Sequence, residues 1–200
     1  YTNTRFADLL KGLPRPVFDK QVRELDADKH CKGFKSWDQL IALIYAQIAC
    51  ATSLREIETG FNSQKIHHYH LGTRCIRRST LADANQKRPA ALFERICQLL
   101  MAKVSRHLRQ EVGEFLYLLD STPIPLEGLG YDDWTKDNHN HRTQGLKVHV
   151  LMASGSNTPV QSLISAPNIN DIDVGRNTPI EAGQTYVFDK GYCDYNWWYQ

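Results

Sequence analysis

The sequence has no long apolar run. The longest, residues 40–48, is interrupted by Gln47 and is far shorter than the roughly 18 apolar residues that a membrane-spanning helix needs. No basic segment followed by an apolar stretch occurs near Tyr1, so we expect no secretory signal. We therefore predict a cytoplasmic protein with no membrane partner.

Cysteine is sparse and irregularly placed. The five cysteines are scattered, odd in number, and include no C-x-x-C pair. This pattern argues against both a disulfide framework and a cysteine zinc site, and we expect reduced thiols.

The net charge of the whole sequence is small, at +2, but the basic and acidic residues are unevenly distributed along it. Residues 1–110 carry 19 Lys and Arg against 10 Asp and Glu, whereas residues 111–200 carry 5 against 12. A basic half suggests a module that binds a polyanion. The acidic half fits either an ordinary solvated surface or a site that collects divalent cations.

The first half has helical periodicity. Capping-box patterns begin at Ser36, Ser53 and Thr80, and a further helix is expected after Pro89. The apolar residues after Ser36 recur with the spacing of one helix face. We predict four or five helices here, with a boundary near residues 108–114.

The second half changes to the pattern of strands. An apolar run ends at Asp120, and a second short one ends at Asp189. Between them, residues 146–152 alternate, a turn signal follows at 154–157, and residues 160–166 resume as a strand. A weakly patterned stretch at 171–180 fits a short helix. The order is strand, hairpin, helix, strand, which makes the chain α+β.

Asp120 and Asp189 are the candidate functional residues of this half. If their strands are neighbours, the two carboxylates meet at one edge of the sheet, where ligands of such sheets gather. Two nearby carboxylates repel, so such a pair usually needs a cation or a shared proton. The alternative is that each aspartate only caps a turn, as Asp commonly does.

These residues carry a resemblance to a known family. Residues 118–126 (LLDSTPIPL) and 186–192 (YVFDKGY) resemble the first and second aspartate motifs of bacterial insertion-sequence transposases of the DDE class. Residues 143–149 (TQGLKVH) resemble the second strand of the same core. The first half is similar to the helical N-terminal domain of these transposases in the segments 34–39, 53–57 and 78–85.

The resemblance implies a division into a helical DNA-binding domain, residues 1–110, and the first part of an RNase H-like catalytic domain with a mixed sheet, residues 111–200. It implies that Asp120 and Asp189 bind Mg²⁺ or Mn²⁺ for cleavage and strand transfer. The implied partner is double-stranded DNA, namely the element's terminal repeats and the target. A homodimer acting on paired ends, associated with the nucleoid when bound to DNA, is implied as well.

Basic residues near these motifs are candidates for DNA contact. Lys147 and His149 share the face of their strand that is opposite the apolar one, where they either face water or approach phosphate. The full set of candidates is Lys147, His149, Lys190, Arg142, Arg77, Arg78, Lys87 and Arg88.

The sequence departs from the family pattern in its third acid. A DDE site needs a Glu on a later helix, and after Asp189 the sequence offers only Asp194, which is too close. We therefore expect a C-terminally truncated piece that is inactive alone. Two alternatives stay open: a non-catalytic DNA-binding remnant or regulator, and an RNase H-like metal-dependent nuclease.

Overall fold

The computed structural model describes residues 5–111, 116–126, 136–137 and 144–199. The chain forms two compact units, Tyr1–Cys97 and Gln98–Gln200. The division falls inside the long helix Ala91–Glu111, whereas the sequence placed the boundary at 110/111, where the helical pattern ends. The helix is continuous across the division, so helical periodicity in the sequence does not indicate where the division falls.

The first unit is helical. Its core is made by one face of the third helix: Trp37, Ile41 and Ala42 are buried, and Trp37 packs edge-on against Phe18 with ring centroids 5.4 Å apart. The helices described up to residue 111 are α1 (Arg5–Leu10), α2 (Arg15–Glu24), α3 (Ser36–Ile48), α4 (Leu54–Ser63), α5 (His68–Leu71), α6 (Arg78–Lys87) and α7 (Ala91–Glu111).

The predicted helix starts are correct at one position and shifted at two. Ser53 caps α4, its hydroxyl accepting the Glu56 N–H at 3.2 Å. At α3 the cap lies one residue earlier than predicted, because Asp38 accepts the backbone N–H of Lys35 at 2.8 Å. α6 begins two residues before Thr80. Side-chain hydrogen bonds to the free N–H groups set the starts of α3 and α4, whereas α6 begins without a side-chain cap.

The second unit is built around a mixed sheet. Its strands are β1 (Leu116–Pro125), β2 (Lys136–Asp137), β3 (Gln144–Ala153), β4 (Thr158–Ser165) and β5 (Thr185–Phe188). β3 pairs antiparallel with β1 and β4, β2 pairs with the first residues of β3, and β5 runs parallel to β1. The predicted α+β class, with strand, hairpin, helix and parallel strand in that order, is confirmed.

Two short helices, α8 (Asp171–Gly175) and α9 (Tyr195–Trp198), accompany the sheet. One face of the sheet carries the core of this unit, in which Tyr117, Leu119, Leu151, Ala153 and Tyr192 are buried. The five cysteines are free thiols. In the described ranges, no helix combines the length and the apolarity that crossing a membrane requires.

Candidate active site

Asp120 and Asp189 stand at neighbouring positions on adjacent parallel strands. β1 and β5 pair in register from Leu116↔Thr185 to Leu119↔Phe188, and the next residue along the chain is an aspartate in both cases. Adjacent strands lie about 4.8 Å apart. The neighbouring strands on which the sequence prediction depended are therefore present.

The position of Asp120 within its strand differs from the prediction. We expected the strand to end at Asp120, but β1 continues to Pro125 and stays paired with β3 along its whole length. What ends beside Asp120 is its parallel partner, because β5 stops at Phe188. Asp120 thus lies inside β1, at the point where the parallel neighbour β5 ends, and not at a strand terminus.

Both carboxylates are exposed and each is oriented by a backbone N–H. Asp120 Oδ1 accepts from the N–H of Ser121 at 2.8 Å, and Asp189 Oδ1 accepts from that of Gly191 at 2.9 Å. Carboxylate oxygens are the ligands that Mg²⁺ and Mn²⁺ prefer, and Mg²⁺ is commonly held by one or two of them together with phosphate. Within the described part of the chain, no group of three or more acidic, His or Cys side chains is arranged to hold a metal. The described site thus offers two carboxylates, which are donors of the type that these cations bind.

A further carboxylate, that of Asp171, lies close to Asp189. A Cβ placed on Gly191 would lie 3.0 Å from Asp189 Oδ1 and 3.3 Å from Asp171 Oδ2. Both carboxylates therefore lie close to the same glycine. Asp171 is paired with Lys147, whose Nζ is 2.8 Å from its Oδ1. Sequence reasoning missed Asp171, because it stands in a weakly patterned segment and only the tertiary fold returns it to the sheet.

The environment of Lys147 and His149 differs from the expectation. Their face of β3 is the buried one, continuous with Leu151 and Ala153, because helices and turns of this unit cover it. His149 is 2% exposed, with its ring nitrogens near Tyr192 and Ser165. Lys147 is 16% exposed and donates to Asp171 and to the Ile169 carbonyl. Neither side chain is presented to phosphate, so we drop both from the DNA-contact set.

The Asp194 side chain has a structural role. Its Oδ2 accepts from Arg176 Nε at 2.6 Å, while its Oδ1 accepts from the N–H groups of Asn196 and Trp197 at the start of α9. The hydrogen bond from Arg176 holds the pKa of Asp194 below its ordinary value, with smaller contributions from the two backbone N–H groups. The Asp194 carboxylate thus caps α9 and pairs with Arg176.

The basic candidates of α6 fall into two groups. Arg77 and Arg78 are exposed at its first turn, and Lys87 is exposed at its last, 3.8 Å from Asp83. Arg88, in contrast, has a side chain that is 6% exposed. Its guanidinium donates to Gln39 Oε1 at 2.9 Å and to the Phe34 carbonyl, and lies 3.3 Å from Asp28 Oδ1. This arginine is internal to the helical unit, and we drop it from the DNA-contact set.

The two remaining candidates lie in the second unit. Lys190 is exposed directly after Asp189. Arg142 lies outside the described residues.

Comparison with known proteins gives matches in both parts of the chain. Residues 114–200 match the family described as "Transposase DDE domain", and residues 1–74 match "Domain of unknown function (DUF4372)". A protein of Sinorhizobium fredii named "Putative transposase y4zB" is 46% identical over 118 residues, which is 59% of this chain and 32% of that protein. No solved structure gives a significant match.

The two matched segments cover the helical unit and the sheet in turn, and the second contains both aspartates and implies an RNase H-like core. The second part of the chain is thus similar to the transposase DDE domain, and the match to the Sinorhizobium fredii protein covers about a third of that protein's length.

Proposed function

We propose that this protein binds the ends of its element through the helical unit and cleaves and joins DNA at Asp120 and Asp189. Mg²⁺ or Mn²⁺ is the proposed cofactor, and double-stranded DNA is the proposed substrate. Pairing of two ends by a homodimer belongs to the same proposal.

The observation that supports the catalytic part is the register of β1 and β5. It brings two carboxylates from residues 69 positions apart in sequence to neighbouring positions on parallel strands. Since like charges at this spacing repel, the pair is best satisfied by a divalent cation. Such a cation, when bound, compensates charge at phosphorus and activates an oxygen nucleophile.

The chain's own contribution is to hold these carboxylates in a fixed direction. One oxygen of each is engaged by a backbone N–H, and the second oxygen is the proposed cation ligand. Lys190, which is exposed directly after Asp189, is proposed to contact phosphate. Asp171, paired with Lys147, lies close to Asp189. These contacts position the acids before substrate arrives, which is how such sites gain rate.

Support for DNA binding comes from charge. Residues 1–110 have a net charge of +9 by residue count, and Arg77, Arg78 and Lys87 are exposed along α6. A contact between an exposed cation and phosphate releases a counterion, so affinity for DNA falls steeply with salt.

The test of the metal site measures Mn²⁺ binding to the chain by electron paramagnetic resonance, with duplex DNA of the element's end present. Asp120→Asn and Asp189→Asn are expected to abolish the bound-Mn²⁺ signal and, in the complete transposase, the Mg²⁺-dependent cleavage. Asp173→Asn is the matched control, since Asp173 is an exposed acid of the same unit that pairs with Arg176 at 3.5 Å. Unchanged Mn²⁺ binding in both site variants would show the assignment to be wrong.

The test of DNA binding measures affinity against salt concentration. Replacing both Arg77 and Arg78 by Ala is expected to lower the slope of log K against log salt by about 2, since each phosphate contact contributes roughly 0.9. Lys65→Ala, an exposed cation of the same unit outside α6, serves as control. An unchanged slope in the double variant would remove α6 from the interface.

The same two assays separate the alternatives. Retained end binding with no Mn²⁺ site indicates the non-catalytic remnant or regulator. Mn²⁺-dependent cleavage of RNA–DNA hybrids, without preference for element ends, indicates the RNase H-like nuclease.

A further inference from the structure

A chain of hydrogen bonds crosses the buried face of the sheet beneath the two aspartates. It begins at Tyr192, which follows β5 in the short 3₁₀ turn Lys190–Tyr192 and is fully buried. The Tyr192 hydroxyl lies 3.1 Å from His149 Nδ1, and His149 stands opposite Ser121 of the neighbouring strand β1. On the other side of the imidazole, His149 Nε2 lies 2.8 Å from Ser165 Oγ.

Both ring nitrogens of His149 are engaged by hydroxyl groups, Nδ1 by Tyr192 and Nε2 by Ser165. A neutral imidazole donates at one nitrogen and accepts at the other, and a hydroxyl can do either, so a neutral His149 satisfies both contacts. Ser165 Oγ also lies 3.3 Å from the Ala166 carbonyl, which anchors the far end of the chain on β4.

The ionisation of His149 and Tyr192 agrees with this arrangement. Burial lowers the pKa of His149, and nearby Lys147 lowers it further, against the opposing effect of Asp171. Burial also raises the pKa of Tyr192 to about 12, so the phenol remains a donor. His149 is therefore neutral and Tyr192 protonated at neutral pH.

The hydrogen-bond chain does not contact either aspartate directly, but it adjoins the residues whose N–H groups hold them. Ser121 follows Asp120 and its N–H holds the Asp120 carboxylate. Tyr192 anchors the turn that contains Gly191, whose N–H holds the Asp189 carboxylate. A shift of the Tyr192 hydroxyl therefore moves one aspartate relative to the other. A buried polar atom left without a partner costs enough free energy to drive such a shift.

We propose that Tyr192 and His149 are positioning residues that fix the separation of Asp120 and Asp189 through the Tyr192–His149–Ser165 hydrogen-bond chain, which ties the turn after Asp189 to the position opposite Ser121. This inference rests on the metal site proposed above. Neither residue contacts the cation; both act on the residues that do, as outer partners of metal ligands commonly do.

The main test compares two tyrosine variants. Tyr192→Phe removes the hydroxyl and is expected to weaken Mn²⁺ binding about tenfold, the lower end of what the loss of an outer partner causes. Tyr186→Phe is the matched control: its hydroxyl accepts the Glu181 N–H at 3.0 Å in the same unit, but it lies outside the chain. Equal Mn²⁺ affinity in the two folded variants would overturn the proposal.

A second measurement needs no metal. Hydrogen exchange of the Gly191 amide, which is bonded to Asp189, is expected to accelerate in Tyr192→Phe and to stay unchanged in Tyr186→Phe. Equal exchange in both variants also overturns the proposal. If Tyr192→Phe does not fold, Ser165→Ala at the far end of the chain serves in its place, and it must then accelerate the same amide.

A double-mutant cycle tests whether the bonds act as one chain. Tyr192 and Ser165 are connected through His149, so Mn²⁺ affinities of the variants Tyr192→Phe and Ser165→Ala should be non-additive. Additive effects would contradict the chain. Loss of Mn²⁺ binding in Asp120→Asn but not in Tyr192→Phe refutes positioning alone, whereas no effect of Asp120→Asn refutes the metal site itself.

Discussion

Replacement of Arg88 should destabilise the helical unit without a direct effect on DNA contacts. Its guanidinium is 6% exposed and joins three segments: it bonds Gln39 Oε1 on α3 at 2.9 Å, approaches Asp28 Oδ1 at 3.3 Å, and donates to the Phe34 carbonyl. Arg88→Met keeps the aliphatic stem and removes all of these bonds. The variant leaves the Asp28 carboxylate, 21% exposed, without its cation.

The magnitude follows from the geometry. Breaking a buried ion pair by removing one partner costs about 3–5 kcal/mol. Asp28 is partly exposed and keeps the two hydrogen bonds from Ser36, at 2.7 and 2.8 Å, which places the loss near the lower end. We expect about 3 kcal/mol, which at a urea m value of about 1.5–2 kcal/mol per molar lowers the midpoint by about 1.5–2 M.

The assay is urea unfolding of the whole chain, with hydrogen exchange of the α3 amides to report on the helical unit. Lys87→Met is the neighbouring control: its pairing with Asp83 is exposed on both sides and is worth less than about 0.5 kcal/mol. A loss below about 1 kcal/mol in Arg88→Met, or a weakened affinity for DNA in a fully stable variant, would refute the structural role and return Arg88 to the DNA-contact set.

Three further outcomes are expected from the same structure. Gly145→Ala should destabilise the sheet unit by about 3 kcal/mol or more, as measured by urea unfolding, because the added Cβ would lie 2.0 Å from the Ile124 carbonyl oxygen; wild-type stability would contradict this close approach. The pKa of Asp194 is lowered by Arg176, so the pair's contribution to stability is complete above the unfolded value of about 3.9 and is lost as pH falls through the folded pKa. Acid titration of Asp194→Asn should lack that component, and an identical acid profile would argue against the pair. Ser53→Ala should cost about 1 kcal/mol of unfolding free energy through loss of the α4 cap, with no change in DNA affinity.

The strand and helix order was predictable because it depends on local patterns. The alternation in residues 146–152 and the turn at 154–157 specify a hairpin whichever face is buried. What alternation cannot specify is which face the rest of the unit covers. For this reason the sequence leaves open whether Lys147 and His149 face water or approach phosphate, whereas in the structure α8 and the turn Lys190–Tyr192 contact that face.

The basic residues near α6 show the same limit at the level of single side chains. Lys87 and Arg88 are consecutive and equally basic in sequence. One side chain points to solvent and the other into a pocket of acceptors on α3 and the loop before it. Lys87 is the last residue of α6, whereas Arg88 follows it with extended backbone, so the two side chains leave the chain in different directions and only the tertiary structure shows which one is covered.

The sequence by itself predicted the α+β class, which the structure confirms, together with the two candidate aspartates and the resemblance to DDE-class transposases, because apolar periodicity and short motifs are properties of consecutive residues. The tertiary structure alone decided how the candidate site is supported. The parallel pairing of β1 with β5 sets Asp120 beside Asp189, and the fold returns Asp171 and Tyr192 to the same region from distant segments. Contacts between residues far apart in sequence are set by packing and hydrogen-bond satisfaction across elements, and no local pattern records them.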